Sequence, residues 1–188
     1  ARNLKVANDE SLRHRKSDSS LKIKYADFYR SLKFKDTKNK FFKKSCRNIF
    51  IVGMPRSGST LLENILSLNS QVTDMGEVNF LEESVKETKN FEDVYENYQK
   101  RVISQFKSST IYTDKSLFNY IYCPIIANFF PDAKIINCVR NPLDNILSIY
   151  RANFLNQPFS FSLHDISNLY LHYFESMEEY KTKYNEII

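Results

Sequence analysis

Residues 50–60 combine a cation, three hydroxyl groups and two glycines in a pattern that suits the binding of an anion. They read Phe-Ile-Val-Gly-Met-Pro-Arg-Ser-Gly-Ser-Thr, with an apolar run at 49–52 and an apolar helical period over 59–68. This order predicts a strand, a glycine-bounded loop and a helix. The backbone N–H groups of such a loop and the positive end of the helix dipole both attract negative charge. The segment is therefore predicted to cradle a phosphate-like group.

The loop differs from a Walker P-loop at one informative position. Gly53 and Gly58 have the Gly-x-x-x-x-Gly spacing of that loop, but Ser59 stands where its lysine is expected. The cation comes earlier, as Arg56. The pattern predicts a phosphate-like ligand and disfavours ordinary ATP hydrolysis.

A second candidate anion site begins at Arg140, which is followed eight residues later by Ser148 in the stretch Arg-Asn-Pro-Leu-Asp-Asn-Ile-Leu-Ser. A guanidinium offers phosphate a bidentate fork, and a hydroxyl adds one more donor. The alternative is that Arg140 pairs with Asp144 one helical turn later and that Ser148 lies on an exposed face.

Together the two stretches resemble the 5′-phosphosulfate loop and the 3′-phosphate-binding segment of sulfotransferases that use 3′-phosphoadenosine 5′-phosphosulfate (PAPS). The closest resemblance is to the bacterial tetratricopeptide-linked group and to tyrosylprotein sulfotransferases, and it covers about residues 50–173. It implies that PAPS is the co-substrate and that no metal is required. The residues that it assigns to donor binding are Pro55, Arg56, Ser57, Gly58, Ser59, Thr60, Arg140 and Ser148.

The same resemblance implies roles in catalysis for three residues. Lys115 matches a lysine that meets the leaving oxygen or the sulfonate, and Glu77 matches the carboxylate that serves as base in the tyrosylprotein group. Arg56 joins them because it clamps the transferring group. Without the resemblance, Lys115 reads as a surface lysine after a strand and Glu77 as an acid at a helix N-terminus.

The function expected from the resemblance is in-line transfer of a sulfuryl group to the hydroxyl of a protein tyrosine, a sugar or a small molecule. One alternative is a P-loop kinase or NTPase, because Asp114 ends a β-prone run as a Walker-B magnesium ligand does. Another is a non-catalytic nucleotide-binding or scaffold module. A requirement for magnesium would distinguish a kinase or NTPase from a sulfotransferase. A need for both Glu77 and Lys115 in turnover would distinguish an enzyme from a non-catalytic module.

The elements that must position these residues follow from apolar periodicity. Strands are predicted at 49–52, 110–113 and 134–139, and each is followed by a helical pattern. This alternation predicts an α/β fold of the P-loop type, with a parallel sheet flanked by helices.

Three of the cations come directly after predicted strands, namely Arg56, Lys115 and Arg140. Ligands of open parallel sheets bind beyond the carboxyl ends of the strands, so we expect these cations along one edge of the sheet. After Arg140, Asn141 is a suitable N-cap and Pro142 a suitable first residue for the next helix.

The chain divides by composition into an N-terminal helical or linker segment, 1–47, and a sulfotransferase-like domain, 48–188. Residues 1–20 are polar and indicate a linker or the fraying end of an upstream element, whereas 21–34 have helical spacing. Three strands make a meagre sheet, and 187–188 read as the start of another. We therefore expect the domain to be incomplete at its C-terminus.

The overall composition limits the kinds of ligand and partner that we expect for this protein. The 188 residues include 27 Lys+Arg and 22 Asp+Glu, a net charge of +5 that suits a polyanionic co-substrate, and no nucleic-acid motif is recognisable. The three cysteines fit no zinc or disulfide framework, and the three histidines lie outside the motifs. No run approaches the ~20 apolar residues of a membrane helix, and no signal-peptide core is present. A cytoplasmic enzyme without a membrane partner is expected, with its oligomeric state open.

Overall fold

The protein is built on a central sheet of four parallel strands in the order β2-β3-β1-β4. A computed structural model describes residues 2–34, 47–106, 109–154 and 156–188. The strands are β1 (Arg47–Gly53), β2 (Val72–Asp74), β3 (Ile111–Asp114) and β4 (Lys134–Cys138). The predicted parallel α/β fold is confirmed.

The central strand β1 carries the largest share of the sheet's apolar core. Phe50, Ile51 and Val52 are fully buried, as expected for a parallel strand that is covered by helices on both faces. The ring of Phe50 lies 5.6 Å from that of Tyr98 and 5.4 Å from that of Phe130. These contacts hold the sheet against the helices that follow β2 and β3.

Strand β2 was not among the three predicted strands. It is only three residues long, and it pairs with β3 through Val72 with Ile111 and Asp74 with Thr113. An edge strand can be short and polar because one side has no neighbour. Its sequence therefore lacks the apolar run that marked the other strands.

Helices cover the sheet in the alternation that the sequence predicted. Asn141 caps one of them, because its side chain accepts hydrogen bonds from the backbone N–H groups of Leu143 (3.0 Å) and Asp144 (3.2 Å). The α-helices are α1 (Arg2–His14), α2 (Ser20–Ser31), α3 (Ser59–Leu66), α4 (Phe80–Glu87), α5 (Val94–Gln105), α6 (Cys123–Phe129), α7 (Pro142–Ala152) and α8 (Leu163–Lys183). Short 3-10 helices lie at Phe91–Asp93, Leu117–Tyr122 and Pro158–Phe161.

The structure differs from two expectations near the chain ends. Residues 1–20 were expected to form a linker or the fraying end of an upstream element, but α1 occupies most of them, and its Asn8 is buried and donates to the carbonyl of Tyr150 at 3.2 Å. Contacts with distant parts of the chain stabilise this polar helix. Ile187 lies in a turn and not in a strand, although its carbonyl accepts a hydrogen bond from the N–H of Ile135 at 2.7 Å.

The N-terminal segment packs against the rest of the protein. Ala26 of α2 is fully buried, and the ring of Tyr29 lies 4.8 Å from that of Tyr122. The basic stretch that precedes β1 falls largely outside the described residues, as does Cys46. The division of the chain at residue 47 stays a prediction.

Candidate active site

The loop between β1 and α3 adopts the backbone geometry of an anion-binding turn. Gly58 has φ +101° and precedes Ser59, where α3 begins, while Arg56 has φ +68° although it is not glycine. Positive φ values in such loops turn successive N–H groups toward one concave side. At Gly53, a Cβ atom would lie only 2.7 Å from the carbonyl oxygen of Cys138, so the close approach of β1 and β4 requires glycine.

The two predicted anion motifs, which lie some eighty residues apart in the chain, are in direct contact. Arg56 Nε donates to Ser148 Oγ at 3.3 Å, and Arg140 donates to the carbonyl of Arg56 at 3.2 Å. The buried Asn145 donates to the carbonyl of Pro55 at 2.8 Å. Two residues of helix α7, Asn145 and Ser148, and Arg140 just before that helix therefore hold the loop through three separate hydrogen bonds.

A cavity of about 520 Å³, called here the donor cavity, opens over this junction. Ser57 Oγ is buried there and has no hydrogen-bond partner among the described residues. The lining combines two arginines, three hydroxyl groups and the N-terminus of α3, which together suit a ligand with several negative charges. The lining residues are Arg56, Ser57, Gly58, Ser59, Thr60, Glu77, Leu117, Arg140 and Phe154.

Glu77 and Lys115, the two residues predicted to act in catalysis beside Arg56, form an ion pair. Lys115 Nζ lies 2.8 Å from Glu77 Oε1, and the backbone N–H of Lys115 donates to the carbonyl of Gly76 at 2.9 Å. The two side chains differ in exposure, at 6% for Lys115 and 73% for Glu77. Glu77 lines the donor cavity, whereas the buried Lys115 is not among the lining residues. Ser148 and Pro55 are likewise not among the residues that line the donor cavity.

Glu63 is a member of this site that the sequence did not reveal. Its Oε1 accepts hydrogen bonds from Thr113 Oγ1 at 2.9 Å and from the N–H of Gly76 at 3.2 Å, and its Oε2 lies 4.0 Å from Lys115 Nζ. The side chain is 5% exposed. The available signal was an acidic residue within the apolar period of α3, one turn after Ser59.

The comparison with known protein families agrees with this geometry. A family model described as "Sulfotransferase family" matches residues 48–109 and 92–187, which include both anion motifs, Glu77 and Lys115. The chain belongs to the sulfotransferase family.

A curated relative of this sulfotransferase-family chain comes from Aquifex aeolicus (strain VF5). It is described as an uncharacterized protein and is 34% identical over 136 residues, which cover 58% of this chain. The match spans only 18% of that relative's length.

Asp114, whose position after a β-prone run suggested a Walker-B magnesium ligand, is fully buried. Its carboxylate accepts hydrogen bonds from Tyr98 OH at 3.1 Å, from the N–H of Ser116 at 3.0 Å and from Asn119 Nδ2 at 3.0 Å. Burial raises the pKa of Asp114 to about 7, and the nearby charge of Glu63 adds to this effect while the hydrogen bonds oppose it. The carboxylate does not line the donor cavity and is already engaged by three donors.

A second cavity of about 370 Å³ adjoins the donor cavity of this sulfotransferase-family protein. The two cavities share three lining residues, Glu77, Leu117 and Phe154. Lys22, from α2, also lines the second cavity, and it lies outside the stretch that the family model matches.

The described part of the chain offers no support for a metal site or a membrane-spanning helix. Its His, Cys, Asp and Glu side chains form no cluster that could hold a metal ion. None of its helices combines the length and the hydrophobicity that a membrane span needs. His14, His164 and His172 contact side chains outside the donor cavity.

Proposed function

We propose that the protein transfers the sulfuryl group of PAPS to an acceptor hydroxyl without a required metal. The observation that carries this proposal is the contact of the β1–α3 loop with Arg140 and Ser148 over one cavity. PAPS carries anionic groups at both ends of its ribose. Two linked anion sites beside one cavity match that distribution of charge.

Each motif would bind one end of the donor. The loop N–H groups, Arg56 and the hydroxyls of Ser59 and Thr60 would hold the 5′-phosphosulfate at the start of α3. Arg140 and Ser148 would hold the 3′-phosphate. The Ser148 hydroxyl accepts from Arg56 and can still donate its own proton to a phosphate oxygen.

Sulfuryl transfer needs an acceptor base and a cation at the leaving oxygen. The acceptor oxygen would form its bond to sulfur as the bond from sulfur to the 5′-phosphate oxygen breaks, and Glu77 would accept the acceptor's proton. A free glutamate has a pKa near ~4.3, so the proton must move after the S–O bond has begun to form. Lys115 would neutralise the charge that develops on the departing 3′-phosphoadenosine 5′-phosphate (PAP).

Calorimetry with PAP and with ATP, each with and without magnesium, tests the donor class. We expect PAP to bind more than ~10-fold tighter than ATP, a difference of about 1.4 kcal/mol, and to do so without magnesium. Tighter binding of magnesium-ATP would contradict the proposal and favour a kinase or NTPase. The enclosed carboxylate of Asp114 supports the first outcome, because it offers magnesium no open ligand.

The remaining parts of the proposal concern the setting of the reaction. A hydroxyl of a peptide tyrosine, a sugar or a small metabolite would be the acceptor. The cytoplasmic location, the absence of a nucleic-acid or membrane partner and the resemblance to the bacterial tetratricopeptide-linked group stay predictions from the sequence.

A further inference from the structure

The second cavity, called here the acceptor cavity, lies where an acceptor would meet the donor. It shares Glu77 with the donor cavity, and Glu77 is the proposed base. Its walls also include the aromatic ring of Phe118, the ring of Phe154 that it shares with the donor cavity, and several polar groups. The lining residues are Lys22, Pro55, Glu77, Asn79, Glu82, Ser116, Leu117, Phe118, Phe154 and Gln157.

The three charged side chains that line the acceptor cavity, Lys22, Glu77 and Glu82, differ in their partners. Its two carboxylates already have cationic partners, because Glu77 pairs with Lys115 and Glu82 with Lys86. The ammonium of Lys22 lies 3.6 Å from the centre of the Phe118 ring, and none of the ion pairs among the described residues includes it. Lys22 is therefore the charged lining residue that no ion pair among the described residues engages, although Glu82 acts on it electrostatically.

The surroundings of Lys22 make that charge an effective recognition group. Burial lowers the pKa of Lys22, and the nearby charge of Glu82 opposes this effect. The side chain is half-buried, so its ammonium has lost part of its hydration. A contact with an aromatic face restores only a part of that loss. An incoming anion would restore more, since a charge-assisted hydrogen bond in a partly dry site is strong.

The walls of the acceptor cavity favour a flat molecule with polar edges. The rings of Phe118 and Phe154 offer apolar faces, and the Phe118 ring is held 5.8 Å from that of Phe159. Asn79 and Gln157 offer amide groups to the edges of such a molecule. This combination suits a six-membered ring that bears hydroxyl groups.

We propose that Lys22 selects ring-shaped hydroxyl acceptors that also carry an anionic group such as a carboxylate. The inference rests on the proposed sulfuryl transfer and deepens it by naming the acceptor class. Because Lys22 lies on α2, acceptor choice would come from a helix outside the 48–187 stretch that the family model matches.

Two pairs of probes test the inference on the PAP-loaded protein. One pair is 4-hydroxyphenylacetate and its neutral amide, and the other is D-glucuronate and D-glucuronamide, each titrated by calorimetry. We expect the carboxylate of at least one pair to bind about tenfold tighter than its amide. Whether the phenol pair or the sugar pair shows this preference identifies the ring.

Matched variants assign the preference to one residue. Lys22→Gln should bring the carboxylate-to-amide ratio of affinities close to one, and Lys22→Arg should keep most of the preference. Lys24→Gln removes an exposed lysine from the same helix and should leave the ratio unchanged.

Three results would overturn the inference: ratios near one in both pairs, a preference that survives in Lys22→Gln, or binding of none of the four probes. PAP affinity of each variant shows that it has folded. If the wild-type protein does not bind PAP, the proposed function fails as well. If PAP binds but the carboxylates bind no tighter than their amides, only the proposed role of Lys22 fails.

Discussion

Replacing Glu63 by glutamine should weaken the support that α3 gives to Glu77 and Lys115, the two residues proposed to act in catalysis. The two hydrogen bonds that Glu63 accepts, from Thr113 and from Gly76, both end on Oε1, so the glutamine carbonyl can keep them. The second oxygen, Oε2, faces Lys115 Nζ at 4.0 Å. In the variant an NH₂ group takes its place and directs two donors at a buried ammonium.

The size of the effect follows from the burial of both partners. Removing one partner of a buried ion pair costs about 3–5 kcal/mol. Here the pair is long at 4.0 Å and Lys115 keeps Glu77 at 2.8 Å, so we expect about 2 kcal/mol of lost unfolding free energy. Turnover should fall by about tenfold, because Lys115 and the loop carrying Glu77 lose their common support.

The assays are urea unfolding, PAP calorimetry and sulfuryl transfer from PAPS. Affinity for PAP should change by less than about threefold, since Glu63 does not line the donor cavity. Glu96→Gln, an exposed substitution on α5, is the matched control and should leave all three measurements unchanged. The reasoning is refuted if Glu63→Gln keeps wild-type turnover, or if it loses PAP affinity in proportion to turnover.

Two further predictions concern the neighbouring carboxylates and Lys115. Glu77→Ala and Lys115→Ala should each lower kcat by roughly 100-fold in transfer assays, while PAP affinity measured by calorimetry changes far less. Wild-type activity in either variant would remove that residue from the mechanism. The pKa of Asp114 is raised from 3.8 to about 7, so between these values the folded state holds a proton that the unfolded state releases. The unfolding free energy of the wild-type protein should therefore fall by up to about 4 kcal/mol as the pH rises from about 4 to about 7. Asp114→Asn should lack that part of the pH dependence, and identical urea-derived pH profiles for the two proteins would contradict the account.

The fold and the location of the site could be predicted because they depend on local signals. Arg56, Lys115 and Arg140 each follow an apolar strand, and parallel strands end at one edge of their sheet. Glycine spacing marked the loop, and the Asn141-Pro142 pair marked the helix that holds it. These features need only neighbouring residues to be recognised.

The parts that escaped prediction depend on contacts between distant segments. Glu63 looked like one polar residue in an apolar helix, and its partners lie on two other elements. The three residues of β2 form a strand only because β3 lies beside them. Lys22 lies far from the motifs in sequence, and only the packing of α2 brings it to the cavity.

The central claim is that two distant motifs bind the two anionic ends of one donor. Its most direct test is calorimetric titration of wild-type protein and Arg140→Ala with PAP and with AMP, which lacks the 3′-phosphate. We expect wild-type protein to prefer PAP by more than ~10-fold, and Arg140→Ala to lose that preference while its affinity for AMP stays the same. An unchanged ratio of PAP to AMP affinity in Arg140→Ala would contradict the account.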